Sequence, residues 1–471
     1  MELTIPLRDQ DIIKQEPVTL FSPTNPTPTQ TVYLSNIDQT VAFPVETVFF
    51  FQALKSSTDD IIEKVKRAVS ESFLIPYYFM AGRLSFNEHT KRLELVCNNK
   101  GVFFVGATSK LSLMDLGDVS LPHPSFHHLI LRPHAPISLS DTPLFTIQVT
   151  RFSCGGYSIG FVTNHSTMDG RAAVEMLENL ASICRGEPQL KTTNLNLDRS
   201  CIKPRSPPLI KYQHPEYTTS SFSSSSFTSS SHHMISTISP LSQISPTHSY
   251  KLFSFTSSMI QSLKLKSMTH CSSFEAMVAH LWRARTKAVF DDPEATSTVL
   301  FAVDIRGKVK PPLPCGFIGN AVITAAASAK VVDMDERPLS FCVEMVKEAI
   351  ERVSDDEYVR SVIDWLEVYR GVPSAGNGNF YVSAWWKLPF HELDFGHGRP
   401  VYGGPVVSAM DEFVLLLSHA NGGKEQGGLN RDNLTVLSPA PSLSPESADS
   451  SSDSSRFLGL GFVLPFRIWG V

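Results

Sequence analysis

The sequence predicts an α/β protein whose two halves each combine a mixed sheet with helices. Three observations favour this fold class. A chain of 471 residues is long for one compact core and favours two or three domains. A segment rich in serine and proline divides the chain near its middle, and strand-like alternation and helical periodicity occur on both sides of it.

The composition is that of a globular protein and excludes several classes of function. Hydrophobic residues make up 42% of the chain and charged residues 18%. Lysine and arginine total 41 against 46 for aspartate and glutamate, which gives a net charge of −5. Because no overall positive field exists, we expect no binding to nucleic acid or to an anionic membrane.

Cysteine usage and the termini predict the compartment. The seven cysteines include no C-x-x-C pair, and an odd number cannot be fully paired. We therefore expect reduced thiols and neither disulfides nor a metal site. The N-terminal sequence has no apolar signal region, and no stretch approaches the roughly 18 apolar residues of a spanning helix. These features predict a soluble cytoplasmic protein without a membrane span.

The composition shifts between Pro204 and Pro246, where serine and threonine fill the run from Thr218 to Ser231. Such a segment buries too little apolar surface to offset its ordering entropy. A phosphorylation or docking role for it stays open. The predicted regions are an N-terminal domain 1–202, a linker or exposed crossover 203–247, a C-terminal domain 248–430 and a tail 431–471.

Local patterns predict the elements of the front half. The spacing of apolar residues predicts an amphipathic helix from Thr58 to Phe73 after a Ser57-Thr58 cap. Phe145, Ile147 and Val149 alternate with polar residues and predict a strand, which Gly155-Gly156 turns into a return strand over 157–162. Helical spacing then predicts a helix from about Asp169.

The back half shows the same mixture of elements. Ser272-Ser273 is expected to cap a helix that ends near Arg285, and 299–303 is an apolar strand. Residues 340–353 and 356–369 have helical periodicity, and 406–417 is expected to form paired strands.

The turn after the return strand carries the candidate chemistry, in the sequence His165-Ser-Thr-Met-Asp169-Gly170. An imidazole at a strand end can point into a cleft, and its pKa near 6.5 suits it to take a proton from an alcohol. Gly170 lets the backbone turn tightly. Two other interpretations remain: His165 as a hydrogen-bonded core residue, and Asp169 as a helix N-cap. Metal-ligand spacing and a G-x-S-x-G elbow are absent.

Two separated motifs give the chain a family resemblance. The sequence from His165 to Gly170, together with Asp394-Phe-Gly-His-Gly398, resembles the plant BAHD acyltransferases, whose signatures are HxxxD and DFGWG. The resemblance extends in colinear order over about residues 10–430. Supporting stretches include Tyr78-Phe-Met-Ala-Gly-Arg-Leu84, Val303-Asp-Ile-Arg-Gly-Lys308 and Gly316-Phe-Ile-Gly-Asn320.

The resemblance implies two similar domains of the chloramphenicol-acetyltransferase-like type, joined by a long crossover, with a channel between them. It implies a monomer that uses acyl-CoA as co-substrate, holds no tightly bound cofactor, and acylates a small-molecule alcohol or, less readily, an amine. His165 would remove the acceptor proton in a ternary complex so that the acceptor attacks the thioester directly.

The resemblance also implies roles for single residues. Ser383 stands where relatives carry a threonine that donates to the oxyanion, although a hydroxyl bonded to its own strand is an equal alternative. Trp385 matches an aromatic residue of the same pocket. Asp169 would pair with Arg306 and hold the His165 loop. Asp394, Gly396 and Gly398 would maintain the shape of the channel.

The chain departs from the family pattern at two places. His397 replaces the tryptophan of the signature, which exchanges a large apolar ring for a smaller titratable one. After residue 430 comes a Ser/Pro-rich tract that cannot supply an apolar helical face, so we expect the tail 431–471 to be disordered. These departures keep open a non-catalytic relative that acts by binding in acyl-lipid or cuticle metabolism.

Overall fold

The structure is a computed structural model that describes residues 6–23, 28–53, 60–119, 121–132, 138–219, 248–376, 378–406, 412–418 and 434–441. Two large mixed sheets organise these residues, one of seven strands and one of six. The expected α/β class with two mixed-sheet units is confirmed. No helix among the described residues is long and apolar enough to cross a bilayer.

The strands of the first sheet are β1 (Ile12–Lys14), β2 (Val18–Leu20), β4 (Pro44–Phe51), β7 (Val102–Ser109), β8 (Phe145–Arg151), β9 (Tyr157–Asn164) and β16 (Tyr402–Pro405). Their order is β1-β7-β8-β9-β4-β16, with β2 also paired to β7. Strands β7 and β8 are parallel, and the other neighbours are antiparallel. The β8–β9 hairpin and its turn at Gly155 are therefore as predicted.

A three-stranded sheet and three helices complete this half. The small sheet consists of β3 (Thr31–Tyr33), β5 (Arg83–Asn87) and β6 (Arg92–Val96), and the helices are α1 (Asn36–Thr40), α2 (Ile61–Ala68) and α3 (Gly170–Arg185). The bounds predicted for α2 were wrong. Asp60 is its N-cap, residues 69–73 continue as a π-helical turn, and the expected Ser57-Thr58 cap lies outside the described residues.

The second sheet has the order β11-β18-β17-β15-β12-β13. Its strands are β11 (His248–Phe255), β12 (Thr296–Asp304), β13 (Val322–Lys330), β15 (Phe380–Ala384), β17 (Phe413–Ser418) and β18 (Leu434–Pro441). A separate pair joins β10 (Tyr217–Thr218) to β14 (Val372–Pro373). The helices of this half are α4 (Ser257–Lys266), α5 (Ser273–Val289), α6 (Val331–Glu336), α7 (Leu339–Arg352) and α8 (Asp356–Tyr369).

The helices predicted for this half are confirmed. Helix α5 begins after Ser272, whose side chain and that of Glu275 form a reciprocal capping box, and it runs four residues past the expected end at Arg285. Helices α7 and α8 begin and end within one residue of their predicted bounds.

The sheets do not divide the chain at the predicted boundary. Strand β16 lies in the C-terminal half of the sequence but pairs with β4 in the first sheet, with Tyr402 opposite Phe50. Of the segment 406–417 that was expected to form paired strands, residues 413–417 lie in β17, which pairs with β15 and β18, and 407–411 lie outside the described residues. The domain limits near residues 202 and 248 stay a prediction.

Part of the predicted linker 203–247 is ordered, which the composition did not indicate. Residues 203–219 run along α8, and they are held by polar contacts as well as by the burial of Tyr217 in the core of the second half. Arg205 donates to Asp364 at 2.6 Å and to Glu357 at 2.6 Å. The remainder, 220–247, lies outside the described residues.

The prediction of a disordered tail was wrong for 434–441. These residues form β18, which pairs with β11 on one side and β17 on the other. Val436 is buried in the core of the second half. The run Leu434-Thr-Val-Leu437 has the strand-forming residues that permit this, and neighbouring strands satisfy its backbone. The rest of the predicted tail lies outside the described residues.

Candidate active site

His165 lies where β9 ends, in a single 3₁₀ turn over His165–Thr167. The Asn164 side chain caps this turn by accepting from the Ser166 amide at 3.1 Å. The His165 amide donates to the Phe43 carbonyl at 2.8 Å, and the Phe43 ring lies 5.4 Å from the imidazole. The strand end therefore fixes the backbone of His165 on one side.

The surroundings of His165 favour an uncharged imidazole. Burial lowers its pKa below the usual value, and this effect outweighs the opposing influence of its own carbonyl, Asp169 and Asn320. Its Nδ1 atom is buried and has no hydrogen-bond partner of good geometry within the described residues. The imidazole is therefore neutral at pH 7, which is the state a general base requires.

Asp169 fulfils both roles that the sequence left as alternatives. One carboxylate oxygen accepts from the Ala172 amide at 3.1 Å, which makes Asp169 the N-cap of α3. The same oxygen accepts from Arg306 at 2.9 Å, and the other accepts from the Ala321 amide at 3.0 Å. Residues from both halves of the chain thus meet at this carboxylate.

Arg306 connects the two halves through its guanidinium. It donates to Asp169 and, at 3.3 Å, to Asp304 at the end of β12. Burial by itself would lower the pKa of Arg306, but the negative charge of the adjacent Asp169 outweighs this effect and raises that pKa above its usual value. The ion pair that the family resemblance implies is therefore present.

A second carboxylate, Asp38, lies behind the His165 loop and was not found from the sequence. It is fully buried and accepts from Arg199 Nε at 2.9 Å. The backbone amide and the side-chain Nδ2 of Asn320 donate to its other oxygen, at 2.9 and 2.8 Å. Asn320 Nδ2 also donates to the His165 carbonyl at 2.8 Å. Asn320 stood in a stretch noted for resemblance, but nothing local marked Asp38 or Arg199.

The loop that carries Asn320 depends on glycine for its close approach. Gly316 has φ +72°, and a Cβ there would lie 1.7 Å from the Asn194 carbonyl oxygen. The Gly319 carbonyl accepts from the Asp169 amide at 3.4 Å. The loop from Gly316 to Asn320 therefore docks directly on the His165–Asp169 turn.

Ser383 lies in β15, an interior strand of the second sheet, and Trp385 lies directly after it; neither belongs to the hydrogen-bonded network described above around His165. Ser383 is half-buried in β15, with Leu415 of β17 as its register neighbour. Trp385 follows in a short 3₁₀ turn and packs against Phe390, with ring centroids 5.4 Å apart. Both are positioned by the same strand end.

A small cavity lies beside Trp385. Its lining is formed by Trp385, Leu388, Phe390, His391, Pro400, Val401, Tyr402, Gly403, Gly404, Leu417 and Ser418. Leu388 also covers Gly170, where a Cβ would lie 2.7 Å from its nearest methyl carbon. Gly170 thus allows the wall of the cavity to pack on the first residue of α3.

The Asp394–Gly398 loop is built around its own carboxylate. Asp394 accepts from the amides of Gly396, His397 and Gly398 at 2.7 to 3.0 Å. Gly396 and Gly398 have φ of +100° and +84°. Arg185, the last residue of α3, donates to the Asp394 carbonyl. Gly170, the first residue of α3, lies about 22 Å from Arg185 along the helix axis, because each helical residue rises roughly 1.5 Å. This loop therefore lies away from the His165 turn.

His397 occupies the position of the family's tryptophan and is half-buried. Its ring packs edge-on against Tyr157, with centroids 4.9 Å apart. Phe395 fills the core beside it and contacts Phe51 and Phe161. The substitution therefore retains an aromatic contact with β9.

The arrangement suits proton abstraction at an uncharged imidazole. Among the described residues, no group of three histidine, cysteine or acidic side chains could hold a metal ion. The polar groups around His165 orient its backbone, while both nearby carboxylates are already paired with arginines.

Comparison with known proteins adds relatives of stated activity. A family model described as the Transferase family matches residues 12–430. Acyltransferase GLAUCE of Arabidopsis thaliana is 35% identical over 435 residues, covering 88% of this chain and 91% of that protein. The omega-hydroxypalmitate O-feruloyl transferase of the same plant is 34% identical over 89% of each chain. Its fatty alcohol:caffeoyl-CoA acyltransferase is 32% identical over 86% of this chain and 91% of that protein.

Two solved structures share the fold. Vinorine synthase matches with a TM-score of 0.69 at 19% identity, over 91% of this chain and 94% of that one. TRI101 of F. graminearum, complexed with ethyl coenzyme A, matches with a TM-score of 0.66 at 13% identity, over 87% of this chain and 95% of that one.

Proposed function

The chain belongs to the plant BAHD acyltransferases, and on that premise we propose that it transfers an acyl group from a coenzyme A thioester to a hydroxyl group, with His165 as general base. The observation that carries this proposal is the half-buried imidazole at the end of β9, whose pKa is lowered by desolvation so that it is uncharged at neutral pH. Acyl-CoA is a substrate in this scheme, and no resident cofactor takes part.

The proposed reaction is a direct transfer within a ternary complex. His165 Nε2 takes the proton of the acceptor hydroxyl as its oxygen attacks the thioester carbonyl carbon. The tetrahedral oxyanion then collapses, the C–S bond breaks, and the imidazolium returns its proton to the departing thiolate. Holding both substrates together supplies much of the rate enhancement because the attack becomes effectively unimolecular.

Ser383 is the proposed donor to the oxyanion. Its position on β15, two residues before Trp385, supports this because the same strand end lines the cavity. One donor of this kind is worth roughly 3 kcal/mol of activation free energy. Ser383→Ala should lower kcat about 100-fold, whereas Ser383→Thr should retain activity because a hydroxyl remains.

The donor and acceptor classes follow from the relatives. One is named for feruloyl transfer to omega-hydroxypalmitate and another for caffeoyl-CoA and fatty alcohols. We assign a hydroxycinnamoyl-CoA donor and a long-chain aliphatic alcohol acceptor to this chain. The half-buried ring of Trp385 in the cavity wall supports a planar aromatic donor group.

The ion pair of Asp169 and Arg306 holds the His165 turn against the second half in this proposal, and neither residue touches the substrates. Asp394, Gly396 and Gly398 keep the far end of α3 in place and thereby maintain the channel between the halves. Their proposed roles are structural, since their contacts go to backbone groups and to α3.

Thiol release from feruloyl-CoA and caffeoyl-CoA, with omega-hydroxypalmitate or a long-chain primary alcohol as acceptor, tests the proposal. His165→Ala should reduce acceptor-dependent release by about 10²- to 10⁴-fold, the usual contribution of a general base. His89→Ala is the matched control because His89 is an exposed histidine in a turn, and it should leave the rate unchanged.

The same experiment separates the enzyme from a non-catalytic relative. Folded protein that binds feruloyl-CoA in calorimetry but releases no thiol with any acceptor would contradict transfer and favour the binding role. Acetyl-CoA serves as the donor that lacks an aromatic group. Equal rates with acetyl-CoA and feruloyl-CoA would contradict the assignment of the donor class alone.

A further inference from the structure

The turn that carries His165 lies against a completely buried ion pair. The side chains of Arg199 and Asp38 are both 0% exposed, and Arg199 Nε donates to Asp38 at 2.9 Å. Removing a guanidinium and a carboxylate from water is costly, and a well-packed apolar pair is often at least as stable. The hydrogen bonds that this pair makes to other segments therefore indicate what it contributes.

The guanidinium of Arg199 connects three segments of the chain. Its Nε atom bonds to Asp38 in α1, and its two terminal nitrogens donate to the Leu197 carbonyl at 2.7 Å and to the Thr167 carbonyl at 3.1 Å. Because the guanidinium is planar, the directions of these three bonds are fixed relative to one another. Thr167 is the last residue of the 3₁₀ turn that begins at His165, so Arg199 fixes the far end of that turn.

The near end of the turn is tied to the same carboxylate. Asn320 Nδ2 donates to Asp38 at 2.8 Å and to the His165 carbonyl at 2.8 Å. The backbone amide of Asn320 also donates to Asp38, at 2.9 Å. The carbonyls at both ends of the turn are therefore bonded to direct partners of Asp38.

The first residues of the crossover bring Arg199 to this position. The Asn196 amide donates to the Gly316 carbonyl at 2.8 Å, and the Ile318 amide donates to the Asn196 carbonyl at 2.7 Å. A Cβ on Gly319 would lie 3.3 Å from Arg199 Nε, so the guanidinium packs directly on the backbone of this loop. The segment 196–199 thus supports the His165 turn as well as leading from one half to the other.

The geometry points to Arg199 as a positioning residue: through its bond to the Thr167 carbonyl, with Asp38 as its counter-charge, it holds the turn that places His165. This inference rests on the proposed function for its kinetic consequence, but the position of the turn does not depend on any substrate. Arg199 touches no substrate in this scheme. A misplacement of about 1 Å at a reacting group can lower a rate roughly 100-fold, so support at this distance affects catalysis.

The ion pair of Asp169 and Arg306 acts at a different point. The hydrogen bonds of the Asp169 carboxylate go to Arg306 and to the amides of Ala172 and Ala321. This pair therefore anchors residue 169, where α3 begins. Arg199 and Asp38 act on the preceding turn, at the carbonyl groups of residues 165 and 167.

Hydrogen–deuterium exchange of the full chain without substrate tests whether Arg199 holds the turn. Arg199→Lys keeps the charge that compensates Asp38, but an ammonium does not reproduce the planar fork that reaches Asp38 and Thr167 together. The amides of Ser166, Met168 and Asp169 are hydrogen-bonded in the native protein. They should exchange about 10-fold faster in the variant, while exchange in β8 and β9 stays native, because the opening is local. Native exchange at these three amides would overturn the inference.

Arg92→Lys is the matched control. Arg92 is also a buried arginine that pairs across the two halves, and its described hydrogen bonds go to Glu367, Tyr33, Leu34 and Asn36. This variant should leave exchange at the His165 turn as in the native protein. Equal acceleration at the turn in both variants would mean general loosening and would overturn the inference.

A second variant applies if Arg199→Lys does not fold, as judged by circular dichroism. The double variant Arg199→Met with Asp38→Asn removes both charges together and leaves no unpaired buried charge. It should accelerate exchange at the turn in the same way, and native exchange there would again overturn the inference.

The kinetic arm measures acyl transfer. Arg199→Lys should lower kcat about 10- to 100-fold with a change in KM of less than about twofold, because a misplaced base slows the chemical step and not binding. Arg92→Lys should retain the native kcat. A raised KM with native kcat in Arg199→Lys would contradict the inference. If native protein shows no transfer, the proposed function fails, while the exchange measurement still decides whether Arg199 holds the turn.

Discussion

At the scale of single residues, His165 is kept uncharged by burial. The pKa of its imidazole lies below 6.5, so the base is already neutral at pH 7. We expect kcat/KM to be flat through neutral pH and to fall only as the pH drops through this lowered pKa, since protonation removes the base. A pH profile of thiol release checks this, with donor hydrolysis in the absence of enzyme subtracted. A midpoint above pH 6.5 would contradict it.

The Arg306–Asp169 pair should contribute strongly to stability. Arg306→Met leaves a buried carboxylate with two amide donors but no counter-charge, and we expect the free energy of unfolding to fall by about 3 kcal/mol, the lower end for a broken buried pair. Urea unfolding measures it. Arg171→Met is the control, because Arg171 is an exposed residue in the first turn of α3, and its substitution should cost no more than about 0.5 kcal/mol.

The sequence predicted the motif residues of the site better than their supports. His165, Asp169 and Gly170 form one local turn, so their proximity follows from adjacency. The N-cap and the ion pair of Asp169 were not exclusive, because one carboxylate oxygen accepts from both the Ala172 amide and Arg306. Asp38 escaped notice because its partners Arg199 and Asn320 stand 161 and 282 residues away in the chain. Pairing over such separations leaves no local pattern.

At the scale of elements, the Asp394–Gly398 loop depends on its backbone conformation. Gly398 has φ +84° and open space around it, so Gly398→Ala tests backbone strain without a steric clash. We expect a loss of about 1–2 kcal/mol of unfolding free energy, the usual penalty for a side chain in the left-handed region. Thermal or urea unfolding provides the measurement.

Gly307 is the matched glycine for that experiment. It also has open space, and its φ lies outside the left-handed region. Gly307→Ala should change the stability by less than about 0.5 kcal/mol or raise it slightly, since alanine lowers the entropy of the unfolded chain. Equal losses in the two variants would contradict a strain-based account of the loop.

Elements with local signals were predictable, and those with distant partners were not. Ser272 and Glu275 form a capping box within four residues, so the start of α5 follows from the sequence alone. By contrast, 203–219 was predicted to be a linker, because the contacts that fix this segment are made with α8, which is distant in sequence. Strand β18 looked like part of a disordered tail because β11 and β17 supply its hydrogen bonds.

At the scale of the whole molecule, a buried polar cluster ties residues 203–219 to α8. His214 bonds to Glu216 and Ser361 at 2.9 Å each, and the Tyr358 hydroxyl donates to Glu216 at 2.8 Å. Ser361 Oγ also accepts from the Lys211 amide at 3.0 Å. Ser361 is completely buried, so this serine–histidine–glutamate arrangement joins segments and offers no access to a substrate.

Tyr358→Phe tests the strength of that connection. It removes one donor from a buried carboxylate, and we expect the unfolding free energy to fall by about 1.5–3 kcal/mol, the range for hydrogen bonds to charged groups. Tyr212→Phe is the control, since its hydroxyl donates to Asp355 at the surface at 3.2 Å and should contribute little. A loss in both variants of similar size would contradict a special role for the cluster.

The presence of two mixed-sheet units was predictable, but the path of the chain between them was not. The composition places a division near residue 203, and periodicity supports sheets on both sides. Nothing near Tyr402 indicates that β16 returns to the first sheet, because an edge strand of four residues carries no distinctive pattern. The same holds for Phe390 and Phe395, which pack into the core of the first half.

The return of β16 to β4 has a consequence for synthesis on the ribosome. Strand β4 ends at Phe51, and its neighbour begins at Tyr402. At translation rates of roughly 5–20 residues per second, about 20–70 s pass between the synthesis of β4 and the synthesis of β16. During this interval a hydrophobic edge that includes Val48 and Phe50 is unpaired in the nascent chain. The first sheet is therefore a ready substrate for chaperones until most of the chain has been made.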